Sequence, residues 1–181
     1  MKQSQALEVL HRWDQRGRQV FTQADLARLF DGESPKTLQI SIDRLVHRGL
    51  LIRACRGVYV FAYGQIRGGE ILEQVARAIR RGHYNYVSLE SALSEYGAIS
   101  QIPIDRLTVM TTGRKGTYRT PWGVIEFTHT ARPVRELIGR MRDVGRPLRL
   151  ATPQSAWADL KRVGRNTHLV DEETLGDVQA S

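Results

Sequence analysis

One stretch of the sequence, residues 22–61, constrains the fold more than any other because its helix and strand signals follow one another without a gap. Thr22 is a helix-capping residue with Asp25 three positions later, a spacing that favours the start of a helix. Ser34-Pro35 repeats this signal, with a capping hydroxyl and a proline at the first helical position. The sequence therefore predicts two short helices, separated by the helix-breaking segment 31–33.

The second of these helices is followed by a pair of short strands. Its apolar face consists of residues at spacings of four and three, namely Leu38, Ile42 and Leu45. Gly49 ends the helix, and the β-type runs 50–53 and 58–61 follow, joined by a turn at 54–57. This order predicts a winged helix-turn-helix, a fold whose second helix enters a DNA major groove.

The outward face of the second helix carries the side chains that we expect to contact DNA. Recognition helices read bases mainly with their N-terminal half. The residues that we place at the groove floor are Lys36, Thr37, Gln39 and Ile40. We place Arg44 near a phosphate or a guanine, and Arg53 and Arg56 of the wing near phosphates or the minor groove.

Two features of this region have a second interpretation. Ile40 fits contact with a thymine methyl group, but it fits equally well packing against the wing or a second domain. Residues 34–67 contain six basic side chains and one acidic side chain, Asp43. A solvated charged face would mix the two signs, so we prefer an electrostatic surface for phosphates.

Composition narrows the functional classes. The chain has 181 residues and a net charge of +8, and all but four of its 27 basic residues are arginine. Arginine suits phosphate and guanine contacts, although a genome of high GC content would give the same bias. Cys55 is the only cysteine, which excludes a disulfide framework within one chain. The sequence shows no signal peptide or membrane-spanning run, so we expect a cytoplasmic protein.

The pattern predicts an α+β protein of two domains. Residues 1–63 form the winged helix-turn-helix, the glycine-rich segment 64–69 is the linker, and residues 70–181 form a mixed α/β domain with a small antiparallel sheet. Strands at 107–112, 117–120 and 124–128 are expected to form an antiparallel meander.

Further elements are predicted in the second domain. The expected helices are 70–81, 89–96 with Ser88 as its cap, 133–143 and 154–163, and the expected strands are 83–87 and 148–151. The acidic tail from Asp171 is expected to fray, or to lie on the basic surface when DNA is absent.

The sequence contains no recognisable catalytic or metal-binding arrangement. The five histidines are scattered, and the glycines at 113 and 116 lack the spacing of a phosphate-binding loop. Cys55 is interpreted as a small apolar residue rather than a redox switch, although Arg56 beside it could lower the thiol pKa. We therefore expect no enzyme activity, no cofactor and no metal.

The second domain has basic residues of its own. Those that we select as a second basic surface are Arg114, Lys115, Arg119, Arg135 and Arg142. They belong to a larger arginine-rich group that also includes Arg132, Arg140, Arg146 and Arg149. Such a surface could contact the DNA backbone beside the winged helix, or it could bind an acidic protein.

Several segments give the chain a family resemblance over roughly residues 20–163. They are Arg56-Gly-Val-Tyr59 in the wing, Tyr86-Val-Ser-Leu-Glu-Ser-Ala-Leu-Ser-Glu-Tyr-Gly97, Val109-Met-Thr-Thr-Gly-Arg114, Arg119-Thr-Pro-Trp-Gly123 and Ala151-Thr-Pro153. With them the chain resembles the AbiEi-type antitoxins of type IV toxin–antitoxin systems, which act in phage abortive infection.

The resemblance implies a bacterial autorepressor whose N-terminal domain binds inverted repeats in its own promoter, with self-association on DNA. It also implies that the C-terminal domain neutralises a nucleotidyltransferase-like toxin encoded next to it, and the family leaves open whether the two proteins touch. Two other interpretations remain: a plain transcriptional regulator whose second domain binds a small molecule or a protein, and an enzyme with a DNA-binding module.

Overall fold

The computed structural model describes residues 3–66, 69–100 and 105–180, apart from the side chains of residues 69 and 177–180. The backbone forms two compact units, Met1–Ile79 and Arg80–Ser181, and each has its own sheet. The first unit is a winged helix-turn-helix and the second mixes helices with strands, so the predicted α+β class is confirmed.

Over residues 23–61, from its second helix to its third strand, the first unit has the predicted order of helices and strands. Its elements are α1 Gln3–Asp14, β1 Val20–Thr22, α2 Gln23–Leu29, α3 Pro35–His47, β2 Leu51–Cys55, β3 Val58–Phe61 and α4 Gly69–Ile79. The strands pair antiparallel in the order β1-β3-β2, so β1 completes the two-stranded wing as a third strand. The helix α3 lies between the turn that follows α2 and the wing.

Side-chain caps define where α2 and α3 begin. The Thr22 hydroxyl accepts a hydrogen bond from the Asp25 amide at 3.2 Å, and the Asp25 carboxylate accepts one from the Thr22 amide at 2.8 Å. This reciprocal pair satisfies two amides that have no partner inside the helix. The Ser34 hydroxyl accepts from the Thr37 amide at 3.2 Å at the start of α3. Both predicted caps are therefore present.

Removal of the first cap has a measurable cost. We expect Thr22→Ala to lower the free energy of unfolding by about 1 kcal/mol, because the Asp25 amide loses its acceptor. Urea denaturation of the variant measures this loss. The exposed Thr117→Ala on a strand of the second unit is the matched control, and an equal loss there would contradict a specific capping role.

Burial fixes the rotation of α3 about its axis. Leu38, Ile42 and Leu45 are all buried, and they join a core that includes Phe21 and Tyr59. Each aliphatic side chain of this size contributes roughly 1.5–3 kcal/mol when it is removed from water. A rotated helix would lose that contribution, so its opposite face must remain outward.

The division between the units lies further along the chain than predicted. The predicted linker begins as a fixed segment, because buried Gln19 bonds the Phe61 carbonyl and the Ile66 amide, and a Cβ at Gly64 would overlap the Gln19 side chain. The helix α4 then contacts β1 and β3 of the first unit. A high glycine content indicates a break in regular structure, but it does not indicate which of the two units the next helix belongs to. Residues 67 and 68 of the predicted linker lie outside the described residues.

The second unit is built on a mixed sheet. Its elements are β4 Asn85–Val87, α5 Leu89–Glu95, β5 Arg106–Thr111, β6 Gly116–Thr120, β7 Gly123–His129, α6 Val134–Ile138, β8 Met141–Arg142, β9 Arg149–Ala151, α7 Pro153–Val163 and α8 Glu172–Ala180. The described strands follow the order β6-β7-β5-β4-β9-β8 in one six-stranded sheet. The sheet is thus larger than predicted, and it contains parallel as well as antiparallel pairs.

The predicted antiparallel meander is wrong. The strand β7 lies between β5 and β6, pairing parallel with the first and antiparallel with the second. The loop from β5 to β6 therefore does not form a hairpin. Alternating side chains indicate that a segment is a strand, but they do not indicate which strand lies beside it.

Two other predicted segments differ from the structure. The helix expected over 133–143 is shorter, because α6 spans only Val134–Ile138. Gly139 is its C-cap, and β8 begins at Met141. The tail that was expected to fray forms α8, which contacts α7 and buries Leu175. Asp171 starts this helix by accepting hydrogen bonds from the Glu173 amide at 3.0 Å and the Thr174 hydroxyl at 2.8 Å. Residue 181 of the predicted tail lies outside the described residues.

Candidate nucleic-acid interface

The outward face of α3 has the composition that the sequence predicted. Lys36, Thr37, Ile40 and Arg44 are exposed, and Gln39 is half-buried. Ile40 is 52% exposed, so it is not buried against the wing. An exposed aliphatic side chain among polar ones is available for contact with a thymine methyl group.

A short chain of hydrogen bonds crosses this face. The Gln23 side-chain amide, at the start of α2, donates to the Gln39 carbonyl oxygen at 3.0 Å. The Gln39 amide nitrogen in turn donates to the Asp43 carboxylate at 2.9 Å. Gln39 is among the predicted contact residues, whereas Gln23 is not, because its only signal in the sequence is its position next to the cap Thr22.

The wing lies close to the start of α2. The Gln23 backbone amide donates to the Gly57 carbonyl at 2.9 Å, which ties the wing turn to the helix-turn-helix. Gly57 has a φ of +76°, a conformation that favours glycine, and it gives the turn its shape. Arg56 is exposed at this turn and Arg53 is exposed on β2. The wing turn that carries Arg56 therefore lies beside the start of α2, where the Gln23 side chain also bonds Gln39 of α3.

A groove separates α2, α3 and the wing on this surface. Its lining residues are Thr22, Gln23, Ala24, Ala27, Glu33, Pro35, Leu38 and Gly57. The lining is mainly small and apolar and contains one acid, Glu33; the exposed bases Lys36 and Arg56 are next in sequence to the lining residues Pro35 and Gly57. Exposed basic side chains of this kind suit contact with a phosphate backbone.

Cys55 is not an activated thiol. Burial raises the pKa of the Cys55 thiol above its usual value, and this effect outweighs the opposite influence of Arg53. The lowered pKa that Arg56 could have produced is therefore not found. A thiol with a raised pKa is a poor nucleophile at neutral pH, which supports the interpretation of Cys55 as a packing residue.

The predicted second basic surface is divided between two ends of the sheet. Arg119 lies on β6 and Arg114 and Lys115 precede that strand, whereas Arg142 lies on β8 at the opposite edge. Five strand spacings separate the edges, which is about 24 Å. Arg135 lies on α6, just before β8. All five side chains are exposed, but they form two groups rather than one surface.

Other arginines of the predicted group are engaged in ion pairs. Arg132 and Arg140 donate to the carboxylate of the fully buried Asp159, at 2.7 and 3.3 Å. The second oxygen of that carboxylate accepts hydrogen bonds from Tyr86 at 3.1 Å and Ser88 at 3.0 Å. Burial, together with the neighbouring Asp159 charge, raises the pKa of Tyr86 well above its usual range. Four donors thus surround one carboxylate.

Ser88 has a different role from the predicted one. Its hydroxyl does not cap α5 but donates to Asp159. The next residue, Leu89, is fully buried with a φ of +57°, a strained conformation for a branched side chain. This network was not predicted; its one signal in the sequence is that Asp159 lies three residues after Ala156, an acid on the inward apolar stripe of α7.

The described residues contain no group of three or more histidine, cysteine, aspartate or glutamate side chains that could hold a metal ion. Among the helices within the described ranges, none combines the length and apolarity of a membrane span.

Comparison with known proteins gives two findings. Residues 8–62 match the family model described as "Transcriptional regulator, AbiEi antitoxin". The crystal structure of the RV2827C protein from Mycobacterium tuberculosis has a similar fold, with a TM-score of 0.53 and 16% identity. That likeness covers 100% of this chain and 73% of the other, and at this identity it concerns the fold alone. No curated protein matches the chain. The resemblance to the AbiEi antitoxin family is thus confirmed, through a match to its transcriptional-regulator model over residues 8–62.

Proposed function

We propose that this protein is a DNA-binding autorepressor and an antitoxin that neutralises a cognate nucleotidyltransferase-like toxin. The observation that supports the DNA-binding half is the exposure of the α3 face, together with the hydrogen bond that holds the wing turn beside the start of α2. The family match covers that same surface, because it spans residues 8–62.

The chemistry of the surface supports recognition of a duplex. Lys36, Thr37 and Ile40 lie in the N-terminal half of α3, the part that reads base edges in helix-turn-helix proteins. Arg53 and Arg56 lie on the wing, where contact with phosphates supplies affinity without sequence preference. The surface therefore combines groups for both kinds of contact.

The antitoxin half rests on the family description and on the resemblance of the second unit. The segment 86–97, which carries most of that resemblance, contains Tyr86 and Ser88 of the Asp159 network. We infer that the network stabilises the second unit rather than performing chemistry, because each carboxylate oxygen already accepts two hydrogen bonds. On this proposal the protein is not an enzyme.

The alternative is a winged-helix regulator whose second unit binds a ligand or another protein. It is kept because the family match ends at residue 62, before the second unit begins. Only a test of the second unit's role separates the two functions, since both include DNA binding.

Footprinting of the region upstream of the gene tests the DNA-binding half. We expect protection of inverted repeats, with at least 1000-fold weaker binding to a scrambled duplex of the same length, which is the lower end of the usual range. Equal affinity for both duplexes would contradict operator recognition. A regulator of other promoters would protect other sequences but not its own upstream region.

Co-expression tests the antitoxin half. The full chain and the neighbouring gene are expressed from two unrelated inducible promoters, so that repression by this protein cannot account for any rescue. We expect growth to stop with the neighbour alone and to recover when the full chain is present. A toxic neighbour without recovery would contradict the antitoxin function and favour the alternative.

A further inference from the structure

We propose that Gln39 reads an adenine in the major groove, and that Asp43 and Gln23 position its amide for this contact. The inference rests on the proposed DNA binding and adds the base that is recognised and the residues that determine the specificity. It starts from the hydrogen-bond chain that runs from Gln23 through Gln39 to Asp43.

Asp43 fixes which end of the Gln39 amide faces which neighbour. A carboxylate only accepts hydrogen bonds, so the side facing Asp43 must be the Gln39 nitrogen. The Gln39 oxygen then faces Gln23, which donates its own amide N–H to it. An amide without such partners has two orientations of similar energy that exchange its donor and its acceptor. Asp43 selects one of them, and Gln23 holds the Gln39 oxygen in that orientation.

The groups that remain on Gln39 match the edge of one base. Its nitrogen has two N–H groups and its oxygen has two lone pairs. The bond to Asp43 uses one N–H group, and the bond from Gln23 uses one lone pair. One N–H and one lone pair are left. In the major groove, adenine presents the N7 acceptor beside the N6 amino donor, which a glutamine contacts with this pair of groups. Guanine presents two acceptors there and would leave the Gln39 oxygen without a donor.

The position of these hydrogen bonds on α3 favours a role of Gln39 in base recognition. Gln39 is in the N-terminal half of α3 beside exposed Ile40, and Asp43 follows it one helical turn later. Gln23 belongs to α2, so the Gln39 side chain is held from two different elements. Holding a flexible side chain in advance lowers the entropy lost when it contacts a base. Asp43 is an exposed acid on this face, and its charge repels phosphates. Its hydrogen bond to Gln39 gives the carboxylate a positioning role.

The test measures base preference in the full-length protein. The duplex is the upstream sequence protected in footprinting, with each A·T pair replaced in turn by G·C. We expect the wild type to lose about 10-fold to 100-fold in affinity at one A·T pair in each half-site. Gln39→Ala should abolish that discrimination, and Gln23→Ala should weaken it.

Asp43→Asn separates positioning from charge. Asparagine can donate as well as accept, so the Gln39 amide regains both orientations and the preference at that pair should fall at least several-fold. Affinity for unrelated duplex should stay equal or rise, because a negative charge is removed. The matched control is Asp31→Asn, which removes the same charge from the exposed turn between α2 and α3. It should leave the preference unchanged.

Two results would overturn the inference. If Asp43→Asn and Gln39→Ala both keep the wild-type preference, Gln39 does not read the base, although DNA binding stands. If the wild type protects no operator, the proposed function fails and the inference fails with it. Circular dichroism spectra of all four variants verify that each is folded.

Discussion

Replacing Asp159 with asparagine is expected to destabilise the second unit by about 3 kcal/mol. The carboxylate is fully buried and accepts hydrogen bonds from two arginines, a tyrosine and a serine. An amide cannot neutralise Arg132 and Arg140, and its NH₂ group would face donors. Breaking a buried pair from one side costs 3–5 kcal/mol. We expect the lower end, because the arginine side chains are 23% and 24% exposed.

Urea unfolding of the full chain measures this loss, in a background with Trp13→Phe and Trp122→Phe so that Trp157, on the same helix as Asp159, supplies the local fluorescence signal. Glu95→Gln is the matched control, since it removes the acid that pairs with Arg146 at 3.0 Å on the surface of the same unit. An exposed pair contributes at most about 1 kcal/mol. Equal effects of the two substitutions would show that the Asp159 network is not the principal polar support of the unit.

The double substitution of Arg53 and Arg56 by alanine is expected to weaken DNA binding by roughly 150-fold on every sequence. Both side chains are exposed on the wing. A hydrogen bond to a charged group contributes about 1.5 kcal/mol at the low end, so two phosphate contacts give about 3 kcal/mol. The slope of log affinity against log salt should also become shallower by about 1.8, because two phosphate contacts are lost.

Arg114→Ala with Lys115→Ala is the control, because it removes the same charge from the second unit. We expect it to change the affinity and the salt slope little. If it matches the wing variant, the group at the β6 edge also contacts DNA. If the wing variant binds like the wild type, the wing does not contact phosphates and the assignment of Arg53 and Arg56 is wrong. Binding titrations at several salt concentrations supply both quantities.

The winged helix could be predicted from the sequence because its signals are local. The caps at Thr22 and Ser34 act within three residues, and the apolar spacing from Leu38 to Leu45 spans two turns of one helix. The wing strands are joined by a short turn, so the order of residues almost determines which strands pair. The outward face of α3 followed directly from its buried face.

The second unit could not be predicted to the same depth because its contacts are distant in sequence. The strand β4 pairs with β9, about 60 residues later, and β7 takes the place beside β5 that proximity had assigned to β6. The Ser88 hydroxyl reaches Asp159, 71 residues away. Local patterns contain no information on such partners, so Ser88 looked like a helix cap. The order of the strands could not be predicted either, so the expected second basic surface was not recognised as two groups at opposite edges of the sheet.

The hydrogen bond from the Gln23 amide to the Gly57 carbonyl has a consequence for how this surface can be altered. Because of this bond, the wing turn must have the length that places the Gly57 carbonyl next to the amide of Gln23, the first residue of α2. An inserted residue in the turn would move Gly57 away from Gln23, and the same displacement would move Arg56 away from the start of α2. Engineers who wish to retarget the protein should therefore exchange side chains on α3 and keep the hairpin at its present length.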